Sequence, residues 1–302
     1  MATALRLATR SSPLALVQTR LVAALLEAVE GVPAQIVPLE SRGDRDVSVP
    51  IEAFAERGVF VTEIEQAVLD GRADAAVHSA KDLPSAAPPP GLVLAAVPER
   101  ADPRDALVGA RLDDLGPGAL VATGSVRRRA QLASFRPDLG FTGLRGNIDT
   151  RLSRVPAGGA VLVAFAALQR LGRAAEAAEI LPSWLMLPQI GQGAIAVRCG
   201  AGDSSTAQRL AQIDHAPSHR ALLAERAFLA RLGGGCDAPV GALAHATATG
   251  VVIEGLIASL DGRIVLRRRA EGPLPQATGT RLADELLAGG AAVLVGELAE
   301  GR

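Results

Sequence analysis

Apolar positions in the first eighty residues alternate between two spacings. Leu5-Arg6-Leu7-Ala8 reads as a short strand, and apolar residues then recur at helical spacing through Leu26. Ser12 stands at the expected N-cap, with Pro13 at the first helical position. Gln35 to Leu39 is a second strand, closed by the polar turn Ser41-Arg42-Gly43-Asp44. Thr62 to Asp70 has helical periodicity with Gly71 as its stop, and Ala73 to Val77 is a strand of small residues. The order β-α-β-α-β predicts a mostly parallel sheet covered by helices.

The pattern restarts after the proline-rich stretch Pro84 to Pro90. Leu120 to Thr123 is a strand, Gly124-Ser125 a turn and Val126 to Ser134 a helix. Further strands are expected at Phe141 to Leu144 and Val161 to Ala164, with a helix at Ala166 to Leu171. Two tandem β/α units predict two related lobes with a cleft, with ligands beyond the carboxyl ends of the strands. The last part changes class. His219 to Leu232 is an amphipathic helix ending in Gly233-Gly234-Gly235, and strand runs at Val251 to Leu260 and Ile264 to Arg268 flank an Asp261-Gly262 turn. A helix at Thr280 to Leu287 and a strand at Ala292 to Gly296 complete a small α+β domain, with Arg267-Arg268-Arg269 on a solvated edge strand.

A length of 302 residues suits two or three domains, and 49% hydrophobic residues supply sizeable cores. A net charge of −1 argues against a general polyanion binder, and 2% aromatic content removes the stacking platforms that bind single-stranded nucleic acid. No apolar run reaches membrane-spanning length, and the first residues lack the charged-then-apolar order of a signal. Cys199 and Cys236 are too few for a disulfide framework. The expectation is a reduced, cytoplasmic, monomeric protein without a metal site. His215 and His219 have the spacing of a zinc pair, but Pro217 between them argues against one.

Three segments carry chemistry. Lys81 is the only lysine in the chain, placed beside Asp82 just after a strand, and a compact ammonium does not substitute for a planar guanidinium. Arg127, Arg128, Arg129, Arg136, Arg145, Arg151 and Arg154 form a dense stretch, with Arg170 further on. Arg127 and Arg128 open a helix after a Thr-Gly-Ser turn, where backbone N–H groups, hydroxyls and guanidinium forks suit a ligand with several carboxylates or phosphates. Basic residues at a helix N-terminus are unfavourable for the helix itself, which weakens a purely structural reading. Third, the glycines before Cys236 place its thiol on an accessible loop, whereas Cys199 in its strand-like run reads as inert.

Several motifs, in order, resemble the porphobilinogen deaminase (hydroxymethylbilane synthase) family. They are Leu7-Ala8-Thr9-Arg10-Ser11-Ser12-Pro13-Leu14-Ala15, Gly43-Asp44, Ala76-Val77-His78-Ser79-Ala80-Lys81-Asp82-Leu83-Pro84 and Pro103-Arg104-Asp105-Ala106. They continue with Ser125-Val126-Arg127-Arg128, Arg145 to Leu152, Pro188 to Ala194 and Gly234-Gly235-Cys236. The match runs from Leu5 to about Ala244.

The resemblance implies an α/β fold of two periplasmic-binding-protein-like (type II) lobes with a cleft, plus a small C-terminal α+β domain. It divides the chain into domain 1 at 1–96 and 193–214, domain 2 at 97–192, and domain 3 at 215–302 carrying the cofactor cysteine. It implies a transferase of tetrapyrrole biosynthesis (haem, chlorophyll, cobalamin) that joins four porphobilinogen molecules head to tail, with loss of ammonia. They are added to a covalent dipyrromethane primer, held by a thioether to Cys236, and water then releases hydroxymethylbilane. Asp82 matches the family's catalytic carboxylate, which stabilises cationic intermediates between pyrrole N–H groups. Arg10, Arg127, Arg128, Arg145, Arg151 and Arg170 match its carboxylate-binding and catalytic arginines, and Ser79 and Lys81 its cofactor contacts. Thr123, Ser125, Gly146, Asn147 and Gln192 belong to the same set of cofactor- and substrate-binding positions.

The sequence departs from the family pattern at two places. Gly124 replaces a serine, removing one hydroxyl contact, and Arg57 and Thr62 stand in the region before and after Phe60 where lysines are common. Two other readings compete. A non-catalytic two-lobed binding protein for a polycarboxylate or phosphate would have no need of Cys236 on a glycine loop. A phosphate or nucleotide binder would use the same arginines without a covalent adduct.

Overall fold

The computed structural model describes residues 3–40, 61–85, 88–233 and 238–294. They divide into two compact units, Met1–Arg100 with Ala194–His219, and Ala101–Gly193 with Arg220–Arg302.

The first unit is built on β1 (Arg6–Arg10), α1 (Pro13–Glu30), β2 (Gln35–Leu39), α2 (Thr62–Leu69), β3 (Ala75–Ser79) and β4 (Leu92–Ala96). The chain returns with β10 (Ile195–Gly200) and α6 (Ser204–Ala211). Helix α1 starts as its sequence dictates: Ser12 is extended, its hydroxyl accepts from the Ala15 N–H at 3.4 Å, and Pro13 occupies the first turn. The sheet order among the described residues is β2-β1-β3-β10-β4. Strand β1 pairs in parallel with β2 and β3, as the β-α-β-α-β order predicts. Strand β10 is antiparallel to both β3 and β4, because it enters at the carboxyl edge of β3, where Ile195 faces Ser79. The sheet is therefore mixed. One face packs Leu7, Val22, Leu26, Val77 and Val197; the other packs Ala8 and Ala76 against Ile64 and Ala67 of α2.

The second unit holds a five-stranded sheet of order β7-β6-β8-β5-β9 among the described residues. Its strands are β5 (Asp105–Val108), β6 (Leu120–Ala122), β7 (Gly140–Thr142), β8 (Ala160–Ala164) and β9 (Glu179–Ile180). Its helices are α3 (Val126–Phe135), α4 (Ile148–Leu152) and α5 (Phe165–Arg170). Strands β6, β7 and β8 are parallel, whereas β5 runs against β8 with Asp105 opposite Ala164. The start of β5 thus lies at the same edge as the carboxyl ends of β6, β7 and β8.

The same unit carries α7 (Ala216–Leu232) from Arg220 onward, the antiparallel strands β11 (Val240–Ala246), β12 (Val251–Ala258) and β13 (Val265–Gly272), and α8 (Pro275–Leu286). Phe228, Ile253, Ile257, Leu282 and Leu286 form its core. Helix α7 begins three residues before its expected start, with Pro217 in its first turn. One expectation fails: residues 292–294 are helical, not a strand. Helical spacing buries Ala291 and Leu294 in the same core cluster, three residues apart on one face. The rest of the expected strand, 295–296, lies outside the described residues.

Candidate active site

In the first unit, two parallel strands bring their ends together. Ala8 of β1 stands opposite Ala76 of β3, so Arg10 and Ser79 finish at one sheet edge. The Ser79 hydroxyl donates to Oε1 of the buried Gln18 at 2.9 Å. Ala80–Asp82 then makes a single 3₁₀ turn, tied by the Ala80 N–H to the Ala194 carbonyl at 3.0 Å and followed by the buried Leu83. This turn leaves Lys81 half-buried and Asp82 exposed. The Asp82 carboxyl makes no hydrogen bond or ion pair among the described residues.

Behind that edge lies a buried polar group that sequence reading passed over. Arg198 of β10 is ion-paired with Glu65 of α2, and the His78 Nε2 lies 4.0 Å from the same carboxyl oxygen. All three side chains are buried. Burial, followed by the charges of Arg198 and Arg10, pushes the His78 pKa down to about 3, so the ring is neutral at physiological pH.

In the second unit, Asp105 organises the start of α3. Its Oδ2 accepts from Arg127 Nη2 at 2.8 Å, and its Oδ1 accepts from Arg128 Nη2 at 2.7 Å and Nε at 3.0 Å. Gln192 Nε2 donates to the same Oδ1 at 2.9 Å and to the Pro103 carbonyl at 2.7 Å. The remaining guanidinium donors reach backbone, Arg127 Nη1 to the Leu187 carbonyl at 2.6 Å and Arg128 Nη1 to the Leu162 carbonyl at 3.0 Å. Asp105 is fully buried, and Arg127 and Arg128 are 2% and 5% exposed. Burial pushes the Asp105 carboxyl up, but the two arginines outweigh it and hold the group below its ordinary range. Two guanidiniums against one carboxylate leave an excess positive charge. The unfavourable pair of arginines at the helix start is thus explained by an internal partner.

The turn before this helix is shaped for close approach. Ser125 caps α3, its hydroxyl accepting from the Arg128 N–H at 3.4 Å, and Thr123 Oγ1 accepts from the Ser125 N–H at 3.2 Å. A Cβ on Gly124 would lie 2.5 Å from the Leu144 carbonyl oxygen. A side chain at this position would require the backbone at Leu144 to shift.

Arg145, Gly146 and Asn147 follow β7 on an exposed loop. Asn147 caps α4 through the Thr150 N–H at 2.9 Å, and Arg151 Nε donates to the Gly146 carbonyl at 2.8 Å. Arg170 ends α5 and differs from the other site arginines. Its Nη2 donates to the Gly193 carbonyl at 2.7 Å, its buried Nε has no hydrogen-bond partner, and no carboxylate pairs with it among the described residues. Burial alone pulls its pKa down to about 10, which still leaves it charged at neutral pH.

The structure therefore joins Arg10, Ser79, Lys81 and Asp82 at one sheet edge. It links Thr123, Ser125, Arg127, Arg128 and Gln192 around the start of α3, with Arg170 on the next residue after Gln192. Cys236, Gly43-Asp44, Arg57 and Phe60 lie outside the described residues. His215 and His219 take separate partners, Ser218 Oγ and Asp214 Oδ1, each at 2.8 Å. Asp105 was visible only as part of a motif. Its signal was an acidic residue opening an otherwise apolar strand.

The family model "Porphobilinogen deaminase, dipyromethane cofactor binding domain" matches residues 5–208, and "Porphobilinogen deaminase, C-terminal domain" matches 219–288. The porphobilinogen deaminase of Roseiflexus castenholzii is 46% identical over 98% of this chain and 100% of its own length. That of Acidothermus cellulolyticus is 48% identical over 95% of this chain and 89% of its own. Among solved structures, the methionine-binding protein MetQ has a TM-score of 0.42 and 10% identity, over 69% of this chain and 89% of that one. The two family models together span most of the sequence, and the chain belongs to the porphobilinogen deaminase family.

Proposed function

We propose that this chain joins four porphobilinogen molecules head to tail, with loss of ammonia, and releases hydroxymethylbilane by hydrolysis in tetrapyrrole biosynthesis. Family membership supports an enzyme over a non-catalytic binding protein. The observation that carries the reading is Arg170, a charged and largely desolvated guanidinium without a carboxylate among the described residues. Such a group is costly unless an anion arrives to pair with it.

Arg170 and the arginines around Asp105 fit a dipyrromethane cofactor, which would be attached by a thioether to Cys236. Each of its pyrroles carries an acetate and a propionate, matching Arg170 and the excess positive charge around Asp105. When bound, this group supplies the nucleophilic pyrrole carbon onto which substrate is added. Arg10, Lys81 and Ser79 at the first sheet edge would hold carboxylates, as would Arg145, Arg151, Thr123 and Ser125 of the second unit, with Gly146 and Asn147 shaping the loop. Arg127 and Arg128 would act through the positive field they share with Asp105, and Gln192 would keep that cluster in register. Asp82 is the exposed carboxylate at the tip of its turn. There it can accept pyrrole N–H groups and stabilise the positive charge left when the aminomethyl C–N bond of substrate breaks and nitrogen leaves as ammonia.

The intact mass of the purified protein tests this. A covalent excess equal to a dipyrromethane, abolished in Cys236→Ser, is expected, and an unmodified mass in an active preparation would remove the anchor. Asp82→Asn should fold, retain the added mass and lose most turnover. The same proposal includes the three-domain division at 1–96 with 193–214, 97–192 and 215–302, a monomer, and a cytoplasmic location. Limited proteolysis and light scattering check the first two. No helix among the described residues is long and apolar enough to cross a membrane.

A further inference from the structure

Residues 187–193 form a strap with two differently occupied sides. On one side the strap is fastened to the C-terminal layer: the Ala242 N–H of β11 donates to the Pro188 carbonyl at 3.0 Å, and Ile190 is buried in the same core as Phe228. On the other side it meets the arginines. The Leu187 carbonyl accepts from Arg127, Gln192 reaches Asp105, and the Gly193 carbonyl accepts from Arg170 and from the Ala101 N–H at 3.2 Å. Two glycines flank Gln192, Gly191 at φ +72° and Gly193 at φ +84°. Both use the left-handed region open to glycine, so the backbone at Gln192 has little intrinsic stiffness.

Glu225 supplies what those glycines lack. It lies on α7, is fully buried, and one carboxyl oxygen accepts from the Gly191 N–H at 2.7 Å while the other accepts from the Ala244 N–H at 2.8 Å. A buried carboxyl is a costly way to close a helix–sheet core. The strap already has an apolar anchor at Ile190 and a backbone bond at Pro188, so adhesion alone does not call for it. What Glu225 adds is a fixed direction for the Ile190–Gly191 peptide, one peptide before the Gln192 N–H, which itself donates to the Gln189 carbonyl at 2.9 Å. We propose that Glu225 is a positioning residue for this reaction, which through the Gly191 amide sets the Gln192–Asp105 contact and the Gly193–Arg170 contact. It is not a catalytic residue, and the inference rests on the reading that Arg170 and the Asp105 cluster serve the carboxylates of substrate and cofactor.

The test uses cofactor-loaded enzyme carrying Glu225→Gln, Gln192→Ala, both together, or Arg170→Gln. It reads kcat and KM for porphobilinogen and the distribution of enzyme-bound intermediates by electrophoresis. Glu225→Gln keeps the volume but turns one acceptor into a donor facing a backbone N–H. The expected result is a fall in kcat/KM of about tenfold, the scale of one misplaced buried hydrogen bond. Intermediates should stall at the same step as in Gln192→Ala, with a double variant no worse than the poorer single one. A purely structural role would lower the melting temperature and leave KM and the intermediate distribution as in wild type, and that result overturns the proposal. Additive effects of the two substitutions overturn it as well. If Arg170→Gln alters the distribution and Glu225→Gln does not, the strap is refuted and the arginine reading stands. If Arg170→Gln changes nothing, it is the arginine reading that falls. Should Glu225→Gln fail to accumulate as folded enzyme, Glu225→Asp, which keeps the carboxyl but shortens its reach, is read in the same way.

Discussion

Asp105 grips Arg128 through a single oxygen, its Oδ1 lying 2.7 Å from Nη2 and 3.0 Å from Nε. Its other oxygen remains for Arg127, at 2.8 Å. One buried carboxylate thus governs two buried guanidiniums. Asp105→Asn removes the charge and keeps the shape. Breaking a buried pair from one side costs about 3–5 kcal/mol, because the partners keep their charge without compensation. Denaturant titration should show a loss of that size, with a reduced fraction of cofactor-loaded protein in the intact mass.

Arg170 should behave in the opposite way. It has no carboxylate partner among the described residues, so replacing it removes a desolvated charge instead of orphaning one. Arg170→Gln is expected to leave the melting temperature unchanged or slightly raised while kcat/KM falls about tenfold or more. Wild-type kinetics in this variant would remove Arg170 from the site.

The buried His78 makes stability depend on pH below neutrality. Its folded pKa, about 3, lies below the ordinary histidine value of 6.5, so acid favours the unfolded chain. This contribution is fully present above pH 6.5 and is lost as pH falls toward 3. Between pH 6.5 and 5 the loss should be about 1.6 kcal/mol, because the slope reaches its full 1.36 kcal/mol per pH unit only once the unfolded ring is mostly protonated. Urea midpoints for wild type and His78→Gln should differ in slope over that window. Parallel slopes would show that the ring is not held neutral.

Gly124→Ser should harm this protein. The added Cβ would sit 2.5 Å from the Leu144 carbonyl oxygen, so either the turn or the loop after β7 must move. The expected cost is about 1–3 kcal/mol by denaturant titration, with Gly124→Ala similar. A neutral result would mean that this backbone approach relaxes without penalty.

Much of the site was legible because its residues sit at places that local chemistry marks. Ser12-Pro13 predicts the start of α1, and the glycines and polar residues after apolar runs mark the strand ends where Arg10, Ser79 and Ser125 lie. Elements with weak local signals escaped. Strand β11 and helix α6 were not anticipated, and residues 292–294 chose a helix because tertiary packing rewards burying Ala291 and Leu294 on one face.

The sequence by itself determined the family, the alternation of strands and helices, and which charged residues gather near strand ends, since these depend on spacing and residue type along one stretch of chain. Only the tertiary structure decided who partners whom. Asp105 meets Arg127 and Arg128 because β5 runs antiparallel to β8 and delivers its first residue to the edge where β6 ends. Glu225 meets Gly191 across 34 residues of sequence, and Arg198 meets Glu65 across 133. Charge compensation in a buried site depends on distances of a few ångströms, and those are set by how strands pair and not by their order in the chain.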